Sequence, residues 1–470
     1  MTVGALWTGA EAVAATGGRN TNDWRATGAS IDSRTTAKGD LFVAIEGPVF
    51  DGHQFVGAAF ANGAAAGLVS VVPDELPETS PLHVVDDTMA ALTALGAASR
   101  ARTSARIAAV TGSAGKTGTK EALRHVLEAQ GPTSASRSSF NNHWGVPLSL
   151  ARMPAETAFG IFEVGMNHAG EIEPLSRLIR PHVAIVTTVE AAHLEFFDSV
   201  EAIADAKSEI FAGMASDGTA VLNRDNPHFD RLAGAAHRYG VANIVTFGAA
   251  PQSDVRLLAM TPADGHSDIS AEIGGQRIEY SLGVAGRHWV MNSLAVLAAV
   301  GALGADVEAA ARSLAGFAEL DGRGKSHRIT IGDAAITLID ESYNANPASI
   351  RAALETLGRT TPAGDGRRIA VLGEMRELGA QSRALHADLA DAVAANDIDL
   401  VFAAGEMRVL YDRLPPGIGA AYGETGTDLI DDIRRAVRTG DVVMVKGSNA
   451  SRMVAVVEAL LDAGDHAEDG

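Results

Sequence analysis

The chain has 470 residues, 46% of them apolar and 20% charged, which is enough to bury several cores; at about 150 residues per domain its length suggests roughly three domains. Lys and Arg total 38 against 58 Asp and Glu, a formal charge of −20 that argues against general affinity for nucleic acid or anionic lipid. An anionic ligand would need a local cationic pocket, and the absence of Cys removes disulfides, thiolate nucleophiles and cysteine zinc sites.

Residues 1–18 have no basic n-region and carry Glu11 within a short apolar stretch, so they do not read as a secretion signal. The run 289–305 is interrupted by Asn292 and Ser293 and falls short of the roughly 20 residues a membrane span needs; it reads as a buried helix. A soluble, cytoplasmic protein is expected. Short strand-like runs at 41–45 and 68–72, with Gly-rich turns between them, lead to an Ala-rich helix over 88–100. The polar segment 99–106 is the expected linker, so a small α/β domain occupies 1–104.

Strands and helices then alternate: strand 107–111, helix 116–130, strand 159–164, helix 171–179, strand 182–189 and helix 200–214. Alternation of this kind predicts a doubly wound, mostly parallel sheet. Residues 254–282 are expected as antiparallel strands packed at its side, followed by a helix over 286–303. This central domain spans 105–322. A second, smaller doubly wound unit of Rossmann-like character spans 323–470, with strands 335–340, 368–372, 400–403 and 442–446 and helices 347–357, 382–394, 427–439 and 451–461. Gly322–Gly324 is the expected hinge. The fold class is therefore α/β with three domains.

Residues 107–120 read I-A-A-V-T-G-S-A-G-K-T-G-T-K. A buried strand, a Gly-containing turn and a helix opening on Lys116-Thr117 supply backbone N–H groups, a helix N-terminus and one ammonium to cradle phosphate oxygens. Thr117 can place its hydroxyl on Mg²⁺. Val110 stands where the common P-loop pattern has its first Gly; here that Gly is Gly112. Only six of the basic residues are Lys (Lys38, Lys116, Lys120, Lys207, Lys325 and Lys446), so each invites a question. An ammonium, unlike a guanidinium, can lose its proton when buried.

Glu163 falls at the carboxyl end of one buried strand and His193 just after the next, where ligands of open α/β sheets sit. Singly, such residues are usually solvated or structural. Beside a phosphate loop they suggest a divalent cation near Thr117. Lys207 lies on the apolar stripe of its helix, with Val200, Ile203, Ala204, Ile210, Phe211 and Met214. It either snorkels to solvent or is a buried neutral amine able to take up CO₂ as a carbamate, an anionic oxygen ligand for Mg²⁺.

These stretches, together with S-S-F-N-N-H-W-G-V-P, E-V-G-M-N, A-H-L-E-F-F, A-K-S-E-I-F, G-R-H-W-V-M-N and D-E-S-Y-N-A-N-P, resemble the Mur ligases, ATP-dependent amide-forming enzymes of peptidoglycan synthesis. Within the family, V-L-G-E-M-R-E-L-G, Y-N-A-N-P and the amino-terminal I-D-S-R-T-T-A-K-G-D-L-F-V-A-I-E-G with D-G-H-Q-F are similar to the branch that adds D-alanyl-D-alanine to a UDP-muramoyl-tripeptide. The resemblance implies that Thr111, Gly112, Ser113, Ala114, Gly115, Lys116 and Thr117 form the ATP loop. It implies Thr117, Glu163, His193 and a carbamylated Lys207 as Mg²⁺ ligands, and Lys116, Lys207, His193 and Glu163 as the catalytic set. Asn292 would contact adenine, and Arg323 and Asp340 would hold ATP from the third domain. Ser33 and Arg34 would meet the uridine diphosphate end, and Asn141, Asn142, Tyr343, Asn344, Asn346, Lys446 and Ser448 the remaining substrate, with Pro347 shaping the loop.

The sequence departs from the family pattern at Ala114, at Trp289 and at His143-Trp144, none of which removes a catalytic group. ATP and Mg²⁺ are the implied cofactors. The implied partners are small molecules, with no nucleic acid and no membrane insertion, and the implied state is a monomer. A carboxylate activated as an acyl phosphate, then attacked by the dipeptide amine through a tetrahedral intermediate, needs cations rather than a protein nucleophile. The alternatives are another Mur ligase, a folate polyglutamate ligase, or a nucleotide-dependent switch. A switch would leave Lys207 unexplained, and no N-K-x-D sequence occurs.

Overall fold

A computed structural model describes residues 4–47, 49–137, 140–263 and 265–466. Ser138, Ser139 and Asp264, which fall in stretches considered above, lie outside the described residues, as do the chain ends 1–3 and 467–470. Three α/β units follow one another. The first carries a five-stranded sheet in the order Arg19–Asn20, Leu82–Val84, Ala66–Val69, Asp40–Val43, Gly28–Ser30, parallel except for its first pair.

The linker expected at 99–106 shortens to residues 103–105, because the preceding helix runs on to Arg102 and the next strand begins at Arg106. The helix Thr88–Arg102, capped by Asp87, packs on Gly145–Ala151 of the second unit. Leu92 and Leu95 share one core with Leu148 and Ala151. Buried Arg100 donates to the carbonyls of Ile179 at 2.7 Å and Arg180 at 3.0 Å, at the carboxyl end of helix Ile172–Ile179. Arg100 thus spends its charge on another unit's helix end, while Arg102 lies over the Trp7 ring of the first unit.

The second unit is a nine-stranded sheet among the described residues, in the order Gln276–Leu282, His266–Ile273, Val255–Ala263, Asn243–Gly248, Thr219–Asn223, Val183–Val186, Arg106–Thr111, Phe159–Glu163, Thr133–Ala135. Arg106–Thr111 is flanked on both sides by parallel strands, and its Ile-Ala-Ala-Val run is fully buried, as a central parallel strand requires. The next strands in the chain fall first on one side of it and then on the other, a switch point of the kind at whose carboxyl ends open α/β sheets bind ligands. The strands expected at the side of the sheet instead extend it: Val255–Ala263 joins Asn243–Gly248 in parallel and the next two continue as antiparallel hairpins. Thr133–Ala135, Thr219–Asn223 and Asn243–Gly248 are further strands that the reading by alternation passed over.

Helix Val200–Ser208, started by the side chain of Ser199, tightens into a 3₁₀ turn over Glu209–Gly213 rather than running on to 214. Arg287–Ala302 is the expected buried helix, and no helix among the described residues is long and apolar enough to cross a membrane. The third unit has a seven-stranded sheet in the order Gly419–Gly423, Leu400–Ala404, Arg368–Leu372, Val442–Lys446, Ala334–Glu341, Lys325–Ile331, Asp465–His466, with a core on each face. The helix expected over 382–394 is two, Ser382–Ala387 and Leu389–Ala395, and that expected over 427–439 is a 3₁₀ turn followed by Ile430–Ala436.

Candidate functional site

The site is built where the strand Arg106–Thr111 ends. Gly112 has φ +152°, and nothing larger than glycine fits there: a Cβ would stand 1.9 Å from Oγ1 of Thr187. That hydroxyl donates to the carbonyl of Ala114 at 2.5 Å, tying the loop to the neighbouring strand end. Ser113 is anchored by its N–H to the Thr188 carbonyl (2.9 Å) and by its hydroxyl, which donates to the carbonyl of Glu190 (3.1 Å). Lys116 opens the helix Lys116–Glu128 and folds its ammonium back onto the Gly112 carbonyl at 2.8 Å. The loop is thus closed by its own lysine, with a helix N-terminus beneath it, an arrangement suited to phosphate oxygens. Desolvation holds the Lys116 ammonium below the usual lysine range; Glu163 opposes the shift and Arg323 adds to it.

Gly118 costs about 1 kcal/mol in a helix interior relative to Ala. It is there because the Trp289 ring packs against it: a Cβ would lie 2.5 Å from Cζ3. Trp289 in turn meets Phe317 edge-on at 5.7 Å. One turn further along the same helix, Asn292 lies over Gly115, where a Cβ would be 2.8 Å from its Oδ1.

Glu163 closes the neighbouring strand and is almost wholly buried. Its two oxygens accept from Thr117 Oγ1 and from Asn141 Nδ2, each at 2.8 Å. This gathers a carboxylate, a hydroxyl and an amide, hard oxygen donors of the kind Mg²⁺ prefers. Among the described residues no three or more His, Cys, Asp or Glu side chains form a ready-made metal cluster. His193 points its Nδ1 to Glu377 of the third unit.

Lys207 does not snorkel. It is 2% exposed, and its amine has no hydrogen-bond or ion-pair partner among the described residues. Burial, reinforced by the charge of Lys116, holds its pKa well below the usual lysine range.

The third unit reaches the loop directly. Asn346, which caps helix Pro347–Arg359 together with Ser349, also donates from Nδ2 to the Ser113 carbonyl at 3.2 Å. Arg323 lies over the Tyr343 ring at 4.2 Å and within electrostatic reach of Lys116. Both oxygens of Asp340 are taken up beside it: Oδ2 accepts from Gly322 N at 2.9 Å, and Oδ1 from Ser342 N at 3.0 Å and Oγ at 2.6 Å. Lys446 is buried against Glu341 (3.0 Å) and the Asn344 carbonyl (3.1 Å). The Ser448 hydroxyl is buried without a hydrogen-bond partner.

Thr111, Gly112, Ser113, Ala114, Gly115, Lys116, Thr117, Asn141, Glu163 and Asn292 of the second unit therefore come together, with Arg323 and Asn346 of the third. Asn142 accepts from Gly145 N at 2.9 Å, at the start of the helix that binds the first unit. Ser33 and Arg34 belong to the first unit: the exposed Arg34 is chelated by Asp32 (2.7 and 2.9 Å) and the Ser33 carbonyl accepts from Asn62.

Sequence reasoning gave no role to Lys120 or Glu377. Lys120 is fully buried and donates to the Ser136 carbonyl at 2.7 Å, and the Ser136 hydroxyl accepts from Glu163 N at 3.2 Å. The scarcity of Lys was the signal for Lys120. For Glu377 it was the V-L-G-E-M-R-E-L-G stretch.

Family models match three successive parts of the chain: the Mur ligase family, catalytic domain over 25–125; the Mur ligase middle domain over 110–300; and the Mur ligase, glutamate ligase domain over 327–449. The UDP-N-acetylmuramoyl-tripeptide–D-alanyl-D-alanine ligase of Rickettsia prowazekii is 33% identical over 91% of this chain and 94% of its own. The crystal structure of MurF from Acinetobacter baumannii superposes with a TM-score of 0.84 at 28% identity, covering 98% of this chain and 100% of that one. That of MurF ligase from Thermotoga maritima in complex with ADP gives 0.77 at 27% identity over 93% and 97%.

Proposed function

Since the chain belongs to the Mur ligase family, we propose that it joins D-alanyl-D-alanine to UDP-N-acetylmuramoyl-tripeptide at the expense of ATP, in peptidoglycan precursor synthesis. The observation that carries this reading is the phosphate loop, closed by Lys116, joined through Thr117 to the buried Glu163, with the buried Lys207 within electrostatic reach of Lys116. The relatives that are 33–34% identical over more than nine-tenths of this chain carry that activity in their names, so another Mur ligase reaction or folate polyglutamate ligation is not favoured.

In this reading the loop from Thr111 to Thr117 holds the ATP phosphates, Asn292 borders the adenine, and Arg323, presented by the turn that Asp340 pins, neutralises the transferring phosphoryl group. Bound Mg²⁺ supplies charge neutralisation and in-line orientation of the phosphates. Thr117, Glu163, His193 and Lys207 would hold it. The lone pair of the neutral Lys207 amine would attack CO₂, releasing a proton to water and leaving a carbamate, which turns a buried amine into an anionic oxygen ligand. The γ-phosphoryl passes to the substrate carboxylate. The dipeptide amine then attacks the acyl carbon, a tetrahedral oxyanion forms, and phosphate leaves.

Lys446, Tyr343, Asn344, Asn346 and Ser448 line the approach of the peptide groups, with Asn141 and Asn142 on the facing side. Ser33 and Arg34 take the uridine diphosphate end. Small-molecule substrates only, a monomeric cytoplasmic enzyme and no protein-bound acyl or phosphoryl intermediate complete the reading.

The test is phosphate release. A ligase turns over ATP only with both UDP-muramoyl-tripeptide and D-Ala-D-Ala present, and forms their amide one for one. ATP hydrolysis indifferent to both would overturn the reading.

A further inference from the structure

We propose that Glu377 is a positioning residue that reaches across the domain boundary to orient His193. It accepts the Nδ1 proton of His193 and leaves Nε2 to ligate the divalent cation. The inference rests on the metal role proposed above for His193.

Three observations carry it. First, the contact joins two residues held in the left-handed backbone region, His193 at φ +58° and Glu377 at φ +62°. Such conformations are uncommon for residues other than Gly and persist where the surroundings over-determine them, often at functional sites. Second, the two loops are locked together by more than the side chains. Glu195 N donates to the Glu377 carbonyl at 3.0 Å, and a Cβ on Gly379 would lie 3.0 Å from Glu195 Cα. Third, the side chains are 22% and 37% exposed, so the pair contributes little to stability as an ion pair. Orientation is the better account of its geometry.

An imidazole that ligates through one nitrogen has its tautomer and ring plane set by the partner of the other. Here that partner sits on the third unit. His193 is therefore correctly presented only when the third unit is docked on the second, which makes completion of the cation site depend on domain docking.

The test uses the full-length protein with a non-hydrolysable ATP analogue and Mn²⁺ as the probe, its binding followed by electron paramagnetic resonance. Glu377→Ala should weaken Mn²⁺ binding roughly 10- to 100-fold. Glu377→Gln, which keeps an acceptor oxygen, should recover part of that loss, and adding Glu377→Ala to His193→Asn should cost nothing further. If Glu377→Ala fails to fold, Glu377→Met, of similar length and without an acceptor, carries the same expectation. Wild-type Mn²⁺ affinity in the Glu377 variants, with affinity lost in His193→Asn, would overturn the inference and leave the metal role of His193 standing. Wild-type affinity in His193→Asn would remove that role and the inference together.

Discussion

The Thr117 hydroxyl donates to Glu163 at 2.8 Å, tying the first turn of the phosphate-loop helix to the end of the adjacent parallel strand. The same carboxylate accepts from Asn141, so Glu163 is held rigid before any ligand arrives. Rigidity of this kind lowers the reorganisation needed during catalysis. Glu163→Gln retains the size of the side chain and removes its charge. It should lower kcat by about 10²–10³-fold, the scale of losing one preorganised electrostatic group. Metal-free ADP binding, measured by calorimetry, should change little; a variant with wild-type kcat would exclude Glu163 from the catalytic centre.

Lys207→Ala should abolish ligation, because nothing else on its helix offers an anionic oxygen at that place. Added short-chain carboxylic acids should restore part of the activity by supplying the missing carboxylate. Full activity without rescue would dismiss the carbamate.

The same lysine should show in stability. Its native pKa lies well below the ordinary 10.5, so the unfolded chain binds the extra proton across the interval between the two values. Stability must then rise with pH through that interval, up to the ordinary value, and fall as pH drops through it. In CO₂-free buffer without nucleotide, Lys207→Met should raise Tm at neutral pH and flatten its rise toward pH 10. A Tm that falls at neutral pH would show that the amine is not a cost to the apo fold.

Gly322 should act as a joint. It has φ +71°, and a Cβ would come within 2.8 Å of Tyr343 Cβ, next to the Arg323 that it presents. Gly322→Ala should strain this turn and lower kcat. In the unaltered protein, small-angle scattering should show compaction on adding an ATP analogue with both substrates, as closure excludes water from the acyl phosphate. An unchanged radius of gyration would refute hinge closure.

Arg100→Ala removes charge-assisted bonds to the Ile179 and Arg180 carbonyls at the joint of the first two units. A hydrogen bond to a charged group is worth about 1.5–3 kcal/mol, so a loss of that order should appear in denaturant unfolding. Turnover by the folded fraction should be retained, and a loss below about 0.5 kcal/mol would mean the contact is dispensable.

Much of the site was legible because its parts are local. A buried strand, a Gly turn and Lys116-Thr117 make a phosphate loop wherever they occur together, since backbone amides and a helix end do the binding. The odd placement of Lys207 on an apolar stripe was equally visible, because helical period alone puts position 207 inside. What alternation missed was the strand run through 219–248, where short strands and a helix crowd together, and the docking of Thr88–Arg102, whose polar end read as a linker.

The amino-acid sequence by itself determined the phosphate loop, the doubly wound units and the inward turn of one rare lysine, each following from residue period and turn chemistry within a short stretch. Only the tertiary structure decided that Asn346 touches Ser113, that Glu377 meets His193, and that Asp340 spends its carboxylate on the hinge. Asp340 reaches Gly322 through the register of the hairpin Lys325–Ile331 with Ala334–Glu341, whereas the partners of the first two contacts lie far apart along the chain and on different units. Their meeting depends on how whole domains pack, which no local period encodes.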